Sequence, residues 1–223
     1  MEQKLLTVED LKDDPEITTY LQRADEHLQK AGLTEHGVRH ASLVSSIASN
    51  VMRRLNKPTR QAELAAIAGY LHDVGNVVNR HDHESMAAVL AHHILRERGL
   101  SVDETCVIAG AIGNHEERAG RIVNEVGAAL ILADKSDVHR SRVRASDPVE
   151  FDIHDRVNYA AENSFLDVNK GDGMITLRLS VDTDISPVMD YFEIFITRMI
   201  MSRRAAVFLG QQFAVEINGM RML

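Results

Sequence analysis

The sequence predicts a mainly α protein, a bundle of helices that carries a small C-terminal α+β appendage. Three observations lead there. From about Ile17 to Val143 the apolar residues recur at three- and four-residue intervals, broken only by short connectors with Gly, Pro or Asn. Between Met174 and Val181 the pattern changes to strict alternation, with Ile175, Leu177, Leu179 and Val181 on one side, as in a half-buried strand. The two regimes meet near Asp147-Pro148, so the expected units are 1–148 and 149–223.

Each element has its own signal. Leu43, Val44, Ile47, Ala48, Val51 and Leu55 form one stripe, and Asn56-Lys57-Pro58 ends it. Thr59 is placed to cap a second helix with Leu64, Ile67, Ala68 and Leu71, which should stop near Gly75. A third is expected to begin close to His83, with Met86, Val89, Leu90 and Ile94 inward, and to finish before Gly99. Ser101-Val102-Asp103-Glu104 has the form of a capping box ahead of Val107, Ile108, Ala111 and Ile112. A fifth helix is expected from about Val123 through Leu130 to Val143. In the appendage, Gly171-Asp172-Gly173 reads as the turn joining the strand to a hairpin partner at Ser164–Val168. Pro187 opens a long helix with Val188, Phe192, Phe195, Ile196 and Met199 on its apolar face, and Phe213 to Ile217 reads as a last strand before Asn218-Gly219. No chemical motif is read in this segment. Its strand Met174–Val181 and helix Pro187–Gly210 carry more apolar surface than the appendage easily covers, so homodimerisation through this region is expected.

Composition limits the function. A chain of 223 residues can bury a sizeable core. A net charge of −8, 4% aromatic residues and no Trp argue against a protein that grips nucleic acid through a basic face with stacked bases. An anionic substrate must be drawn in locally against the overall field, which favours a small one. Cys106 is the single cysteine, so no intrachain disulfide forms, and its place in an apolar pattern suggests a core thiol. Residues 1–16 are acidic and lack a signal-type apolar run, and nothing approaches the ~20 apolar residues of a membrane span. No membrane association and a cytoplasmic, reducing compartment are expected.

The chemistry lies in an ordered set of histidines and aspartates. His40 precedes Val44 by four residues and Ile47 by seven, His72 follows Ala68 by four, His115 follows Ala111 by four, and Asp134 follows Leu130 by four. All four therefore sit on apolar stripes. A lone histidine in such a place is usually a hydrogen-bonded core residue, but several ionisable groups together are costly unless a cation satisfies them. Imidazole and carboxylate suit divalent first-row metals. Neighbours such as His72 and Asp73 diverge by about 100° on a helix, but at a helix end both can face one ion.

These residues resemble the HD-domain superfamily of metal-dependent phosphohydrolases. Arg39-His40-Ala41-Ser42-Leu43-Val44 looks like its first motif, Leu71-His72-Asp73-Val74-Gly75 its His-Asp doublet, and Leu132-Ala133-Asp134-Lys135 its last. The segments His83–Ala88 and Ala111–Glu116 resemble the two extra histidine motifs of members that hold two metals. The resemblance covers roughly residues 20 to 145. It implies one ion held by His40, His72, Asp73 and Asp134, and a second held by His83 and His115 with Asp73 bridging. Two cations about 3.5–4 Å apart can share a hydroxide that attacks phosphorus. Iron, manganese, magnesium, zinc, cobalt and nickel all remain candidates. The implied substrate is a small phosphate ester or anhydride, with a nucleotide the favoured case. The alternatives are a di-iron oxygenase of the same superfamily and a non-catalytic metal- or nucleotide-binding regulatory module.

Three further residues are candidates for substrate contact. His36 lies one helical turn before His40 and is assigned behind the ligands or against the substrate. Lys135 follows ligand Asp134, and Lys135, His139 and Arg142 fall at i, i+4 and i+7 of the expected fifth helix, so Lys135 and Arg142 are expected to meet phosphate. Asp73 and Lys135 are the expected catalytic residues.

Overall fold

The computed structural model describes residues 5–118, 120–144 and 152–222. Helix α1 (Val8–Lys12) opens with a capping box between Thr7 and Asp10, and α2 (Pro15–Lys30) with an Asp14 cap and Pro15 in the first helical position. Then come α3 (Val38–Arg54), α4 (Thr59–Leu71), α5 (His83–Glu97), α6 (Val102–Ile112) and α7 (Glu125–Lys135). The sequence of α7, EVGAALILADK, is small or apolar on nearly every side. Such a helix belongs in the middle of a bundle, and α7 indeed packs against α3, α4 and α6. Asn124 caps it by accepting from the Gly127 N–H at 2.7 Å.

Close crossings depend on glycine. A Cβ on Gly69 of α4 would lie 2.8 Å from the backbone of Ser45 in α3. After α4 the chain makes a 3-10 turn over Val74–Val77, and Gly75 lets the start of α5 press on it. The helix was expected to stop near Gly75, and it ends at Leu71. The φ of Gly75 is not positive, and its role is steric: a Cβ would fall 2.0 Å from the His83 carbonyl oxygen.

The C-terminal segment consists of α8 (Ile153–Ala160), β1 (Ala161–Asn169), β2 (Met174–Val181), α9 (Val188–Phe208), β3 (Gln212–Ile217) and β4 (Met220–Arg221). The sheet order is β1-β2-β3-β4. The β1–β2 and β3–β4 pairs are antiparallel and β2–β3 is parallel, so α9 is the crossover between parallel strands. The alternating residues Ile175, Leu177, Leu179 and Val181 are buried as expected. The hairpin partner begins at Ala161, three residues earlier than expected, and β4 was not anticipated. Asn218 and Gly219, at φ 50° and 80°, make the two-residue turn into it. Helix α9 also packs against α7, and β1 touches α3.

Several expectations need correction. The fifth helix stops at Lys135, not Val143, because tertiary hydrogen bonds capture the next residues: Arg142 Nη1 donates to the Asp137 carbonyl, and Glu35 N–H donates to the Arg142 carbonyl. The helical spacing from Lys135 through His139 to Arg142 therefore does not exist. Met86 and Val89 are exposed, since α5 turns Ala87, Ala91, Ile94 and Leu95 inward, the small residues suiting its close approach to the 3-10 turn. Leu43 and Ile196 also lie at the surface, as do Ile200, Val207 and Phe208 on α9. Cys106 is exposed because Thr105 and Ile108 take the inward face of α6. The cap position of α4 is Pro58, with Thr59 the first helical residue. The expected stop at Asp147-Pro148 lies outside the described residues. Among the described residues no helix is long and apolar enough to cross a membrane.

The backbone contact at Gly75 makes a direct prediction. Gly75→Ala cannot be absorbed by a rotamer change, so thermal or urea denaturation is expected to show a loss of about 3 kcal/mol or more, with metal content falling because His83 is displaced. A variant as stable as the parent would mean that α5 can slide freely.

Candidate metal centre

The site forms where helix ends converge. His40 comes from the first turn of α3, His72 caps the end of α4 with Asp73 beside it, and His83 opens α5. His115 follows α6 by three residues, and Asp134 sits in the last turn of α7. All six sequence candidates are buried, none more than 9% exposed.

Hydrogen bonds set the direction of every imidazole. The Nδ1–H of His72 donates to the Gly69 carbonyl at 2.8 Å, that of His83 to Arg80 at 3.1 Å and that of His115 to Ile112 at 2.6 Å. His40 donates its Nδ1–H to the Asp137 carboxylate at 2.7 Å. The Nε2 lone pairs are thus left for the interior, the arrangement that outer hydrogen bonds impose on metal-binding histidines. His40 Nε2 and His72 Nε2 stand 3.2 Å apart, and His40 Nε2 is 3.3 Å from Asp134 Oδ1. Two donors about 2.1 Å from one ion at tetrahedral angles would lie about 3.4 Å apart.

Asp73 connects two halves of the cluster. Its Oδ2 is 3.4 Å from His72 Nε2 and 3.7 Å from His40 Nε2, while Oδ1 is 3.3 Å from His83 Nε2. Asn76 Nδ2 donates to Oδ1 at 2.9 Å and holds the carboxylate's orientation. Oδ2 is buried with no hydrogen-bond partner. An orphaned carboxylate oxygen among imidazole lone pairs fits a cation and little else. Among the described residues, three groups have donor atoms close enough to share an ion: His40, His72 and Asp134; His72, Asp73 and His115; and His83, His115 and Glu116. The donor set suits a divalent metal.

Protonation follows from the same geometry. Without an ion His72 holds a proton, because Asp73 and Asp134 outweigh the burial that opposes it and push its pKa up to about 10. His115 moves the other way, to about 3, through burial and the nearby charges of His72 and Lys135. Burial alone would raise the Asp73 and Asp134 carboxyls, yet both stay well below the usual range, Asp73 through His72 and Asp134 through Lys135 and the histidines.

Around the cluster lies a shell of charge. Lys135 is buried, with Nζ 2.8 Å from Asp134 Oδ2 and 3.0 Å from Glu117. Arg142 is buried too, but its N–H groups go to the carbonyls of Glu35 and Asp137. His36 sits beside His40, ring centroids 5.3 Å apart, with Nδ1 2.7 Å from the Thr34 carbonyl. Burial and the Arg142 charge hold its pKa well below that of a free imidazole. A cavity of about 20 Å³ opens among these groups, room for about one water.

A model of the HD domain matches residues 37–150. The chain belongs to the HD-domain family. A solved structure of a predicted HD superfamily hydrolase from an uncultured Thermotogales bacterium is similar at 22% identity and a TM-score of 0.45, over 60% of this chain and 75% of that one. No curated protein matches. The buried pair His72-Asp73 lies within the matched residues, and the HD-domain match ends ahead of α8.

Several residues at this HD site were not foreseen. Asp137 orients His40 and is itself held by Arg39 Nη2 at 2.9 Å; its signal was its place one turn beyond Asp134. Glu116 lies 3.8 Å from His83 Nε2. Arg80 Nη1 lies 3.3 Å from the same nitrogen. Arg198 arrives from α9, in the segment read as having no chemical motif, and lines the cavity. Nothing in the sequence spacing links a residue at 198 to a cluster ending at 134.

Two outcomes are expected. Metal must displace the His72 proton, whose pKa is pushed up to about 10, so affinity should fall as pH falls, by about tenfold per unit; affinities from chelator competition at pH 8.5 and 6.5, corrected for the chelator's own protonation, should differ by about 100-fold. His115 stays neutral over that range and adds no dependence. Asp137→Ala, which frees the His40 ring without removing a donor, should weaken metal binding by about 10–100-fold, read by the same competition.

Proposed function

We propose that this protein is a metal-dependent phosphohydrolase that cleaves a phosphate ester or anhydride of a small molecule, nucleotides included. One observation carries the reading: the two oxygens of Asp73 face separate histidine groups, in a cavity lined by Arg80, Lys135, Arg142 and Arg198. The same cavity is lined by Asp73, Glu116 and Asp134, so once divalent ions offset these carboxylates the four basic groups give an anion local partners in a chain of net charge −8. We infer two ions per chain, the first at His40, His72, Asp73 and Asp134, the second at His83 and His115 with Asp73 shared and Glu116 at hand. When bound, divalent ions acidify water and neutralise phosphoryl oxygens. Four imidazoles favour iron, manganese, zinc, cobalt or nickel over magnesium.

The chain's own groups have distinct tasks in this reading. Lys135 fixes the outward oxygen of Asp134 and turns its charge toward the cavity. Its ammonium remains protonated, since Asp134 and Glu117 raise its pKa against burial. Arg80 and Arg198 offer N–H groups to the phosphoryl oxygens, and Arg142 lends charge, its own N–H groups being held by carbonyls. His36, kept neutral, exchanges a hydrogen bond with the substrate. The narrow cavity keeps bulk water from competing.

Elemental analysis of protein never exposed to chelator should give more than one metal per chain, and a panel of phosphate compounds with Mn²⁺, Fe²⁺, Mg²⁺ and Co²⁺ should reveal turnover. Asp73→Ala is expected to abolish activity and remove most of the metal. Lys135→Ala should keep the metal yet lose about 10²–10³-fold in kcat/KM. Unchanged kinetics in Lys135→Ala would remove it from the site, and wild type inert toward every phosphate compound would end the phosphohydrolase reading.

A further inference from the structure

The small cavity at the cluster shares His36, Arg80, Arg142 and Arg198 with a larger one of about 180 Å³. The larger cavity lies between the bundle and the C-terminal segment, closed on its far side by α8 and by Phe195 of α9. It therefore extends past the residues that the HD-domain model matches.

Its far wall is rich in acceptors. Asp152, Asp155 and Asn158 line it. Asn158 is 5% exposed, and its Nδ2 donates to the His154 carbonyl at 2.8 Å. Its Oδ1 is buried without a partner. A buried amide oxygen left unpaired lowers stability, and a ligand that donates to it recovers the loss.

Size and charge narrow that ligand. At about 180 Å³ the cavity is smaller than the roughly 300–1,000 Å³ of sites for drug-sized molecules, so a dinucleotide does not fit. The Phe195 face, where a base would stack, is taken by the Arg198 guanidinium, 4.3 Å from the ring centroid. Glu117 pins that arginine at 3.3 Å. Three guanidinium groups against two carboxylates repel an ammonium group, which leaves neutral donors, hydroxyls above all.

We propose that this cavity is a specificity subsite for the organic part of the substrate, and that this part is a hydroxylated group of about sugar-ring size held by Asn158 and Asp155. The proposal rests on the phosphohydrolase reading for the position of the phosphate, and it adds the substrate class.

Binding separates the two ideas. The probe is the methylene phosphonate analogue of ribose 5-phosphate, which resists hydrolysis, and methylphosphonate is its hydroxyl-free control. Calorimetry on the metal-loaded protein should show the ribose analogue binding at least about tenfold more tightly. Asn158→Leu should erase most of that advantage and leave methylphosphonate binding within about twofold, whereas Asn158→Asp, which keeps an acceptor, should retain it. Asp155→Ala, on the more open side of the wall, serves as a second test if Asn158→Leu lowers the melting temperature strongly, and should cost severalfold in affinity for the ribose analogue alone. Equal binding of the two probes by wild type, or equal weakening of both in the variants, would overturn the subsite. Discrimination without turnover of any phosphate ester would sink the phosphohydrolase reading and leave the subsite standing.

Discussion

Two carboxylates and four imidazoles are held in the core with their lone pairs turned toward one another, an arrangement that electrostatics opposes unless a positive charge sits among them. His40 Nε2 and His72 Nε2 stand 3.2 Å apart, and Asp73 Oδ2 has no partner. The backbone carbonyls of Gly69, Arg80 and Ile112, together with Asp137, hold the rings in place by their far nitrogens. In the metal-free state a proton on His72 takes the role of the cation. Proton and metal thus compete for one position, and the surrounding fold keeps that position in being.

The bundle meets this demand through close approach. Small residues along α7 let it run between α3, α4 and α6 and deliver Asp134 to the centre. Gly69 lets α4 press on α3, and Gly75 lets α5 press on the turn after the doublet, so His72, Asp73 and His83 arrive within a few ångströms of each other. A methyl group at either glycine would separate ligands that need contact distances near 3.4 Å. Helix ends also leave free carbonyls, and those of Gly69 and Ile112 are the ones that orient His72 and His115.

The C-terminal segment does more than add a sheet. Its crossover helix α9 packs on α7 and sends Arg198 to the cluster, where Glu117 links it to Lys135. Helix α8 closes the neighbouring cavity. A chain that is acidic overall thereby concentrates positive charge at one place, with Arg39 and Arg142 bound into the Asp137 network just behind it.

The sequence by itself determined the class of the fold, the strand at Met174–Val181 and the burial of His40, His72, His115 and Asp134, because each rests on local periodicity: a residue one turn from an apolar stripe faces the core; Asp73 and His83 were marked by the family resemblance instead. Only the tertiary structure decided where α7 ends, since the hydrogen bonds that stop it run from Arg142 to Asp137 and from Glu35 to Arg142. It likewise decided which way α5 faces, because Ala87 and Ala91, not Met86 and Val89, fit against the turn at Gly75. Glu116 and Arg198 carry no periodic signal that marks them as functional, and Asp137 shows only its place one turn beyond Asp134. Their roles come from distances between residues far apart in the chain, and a one-dimensional pattern holds no record of those distances.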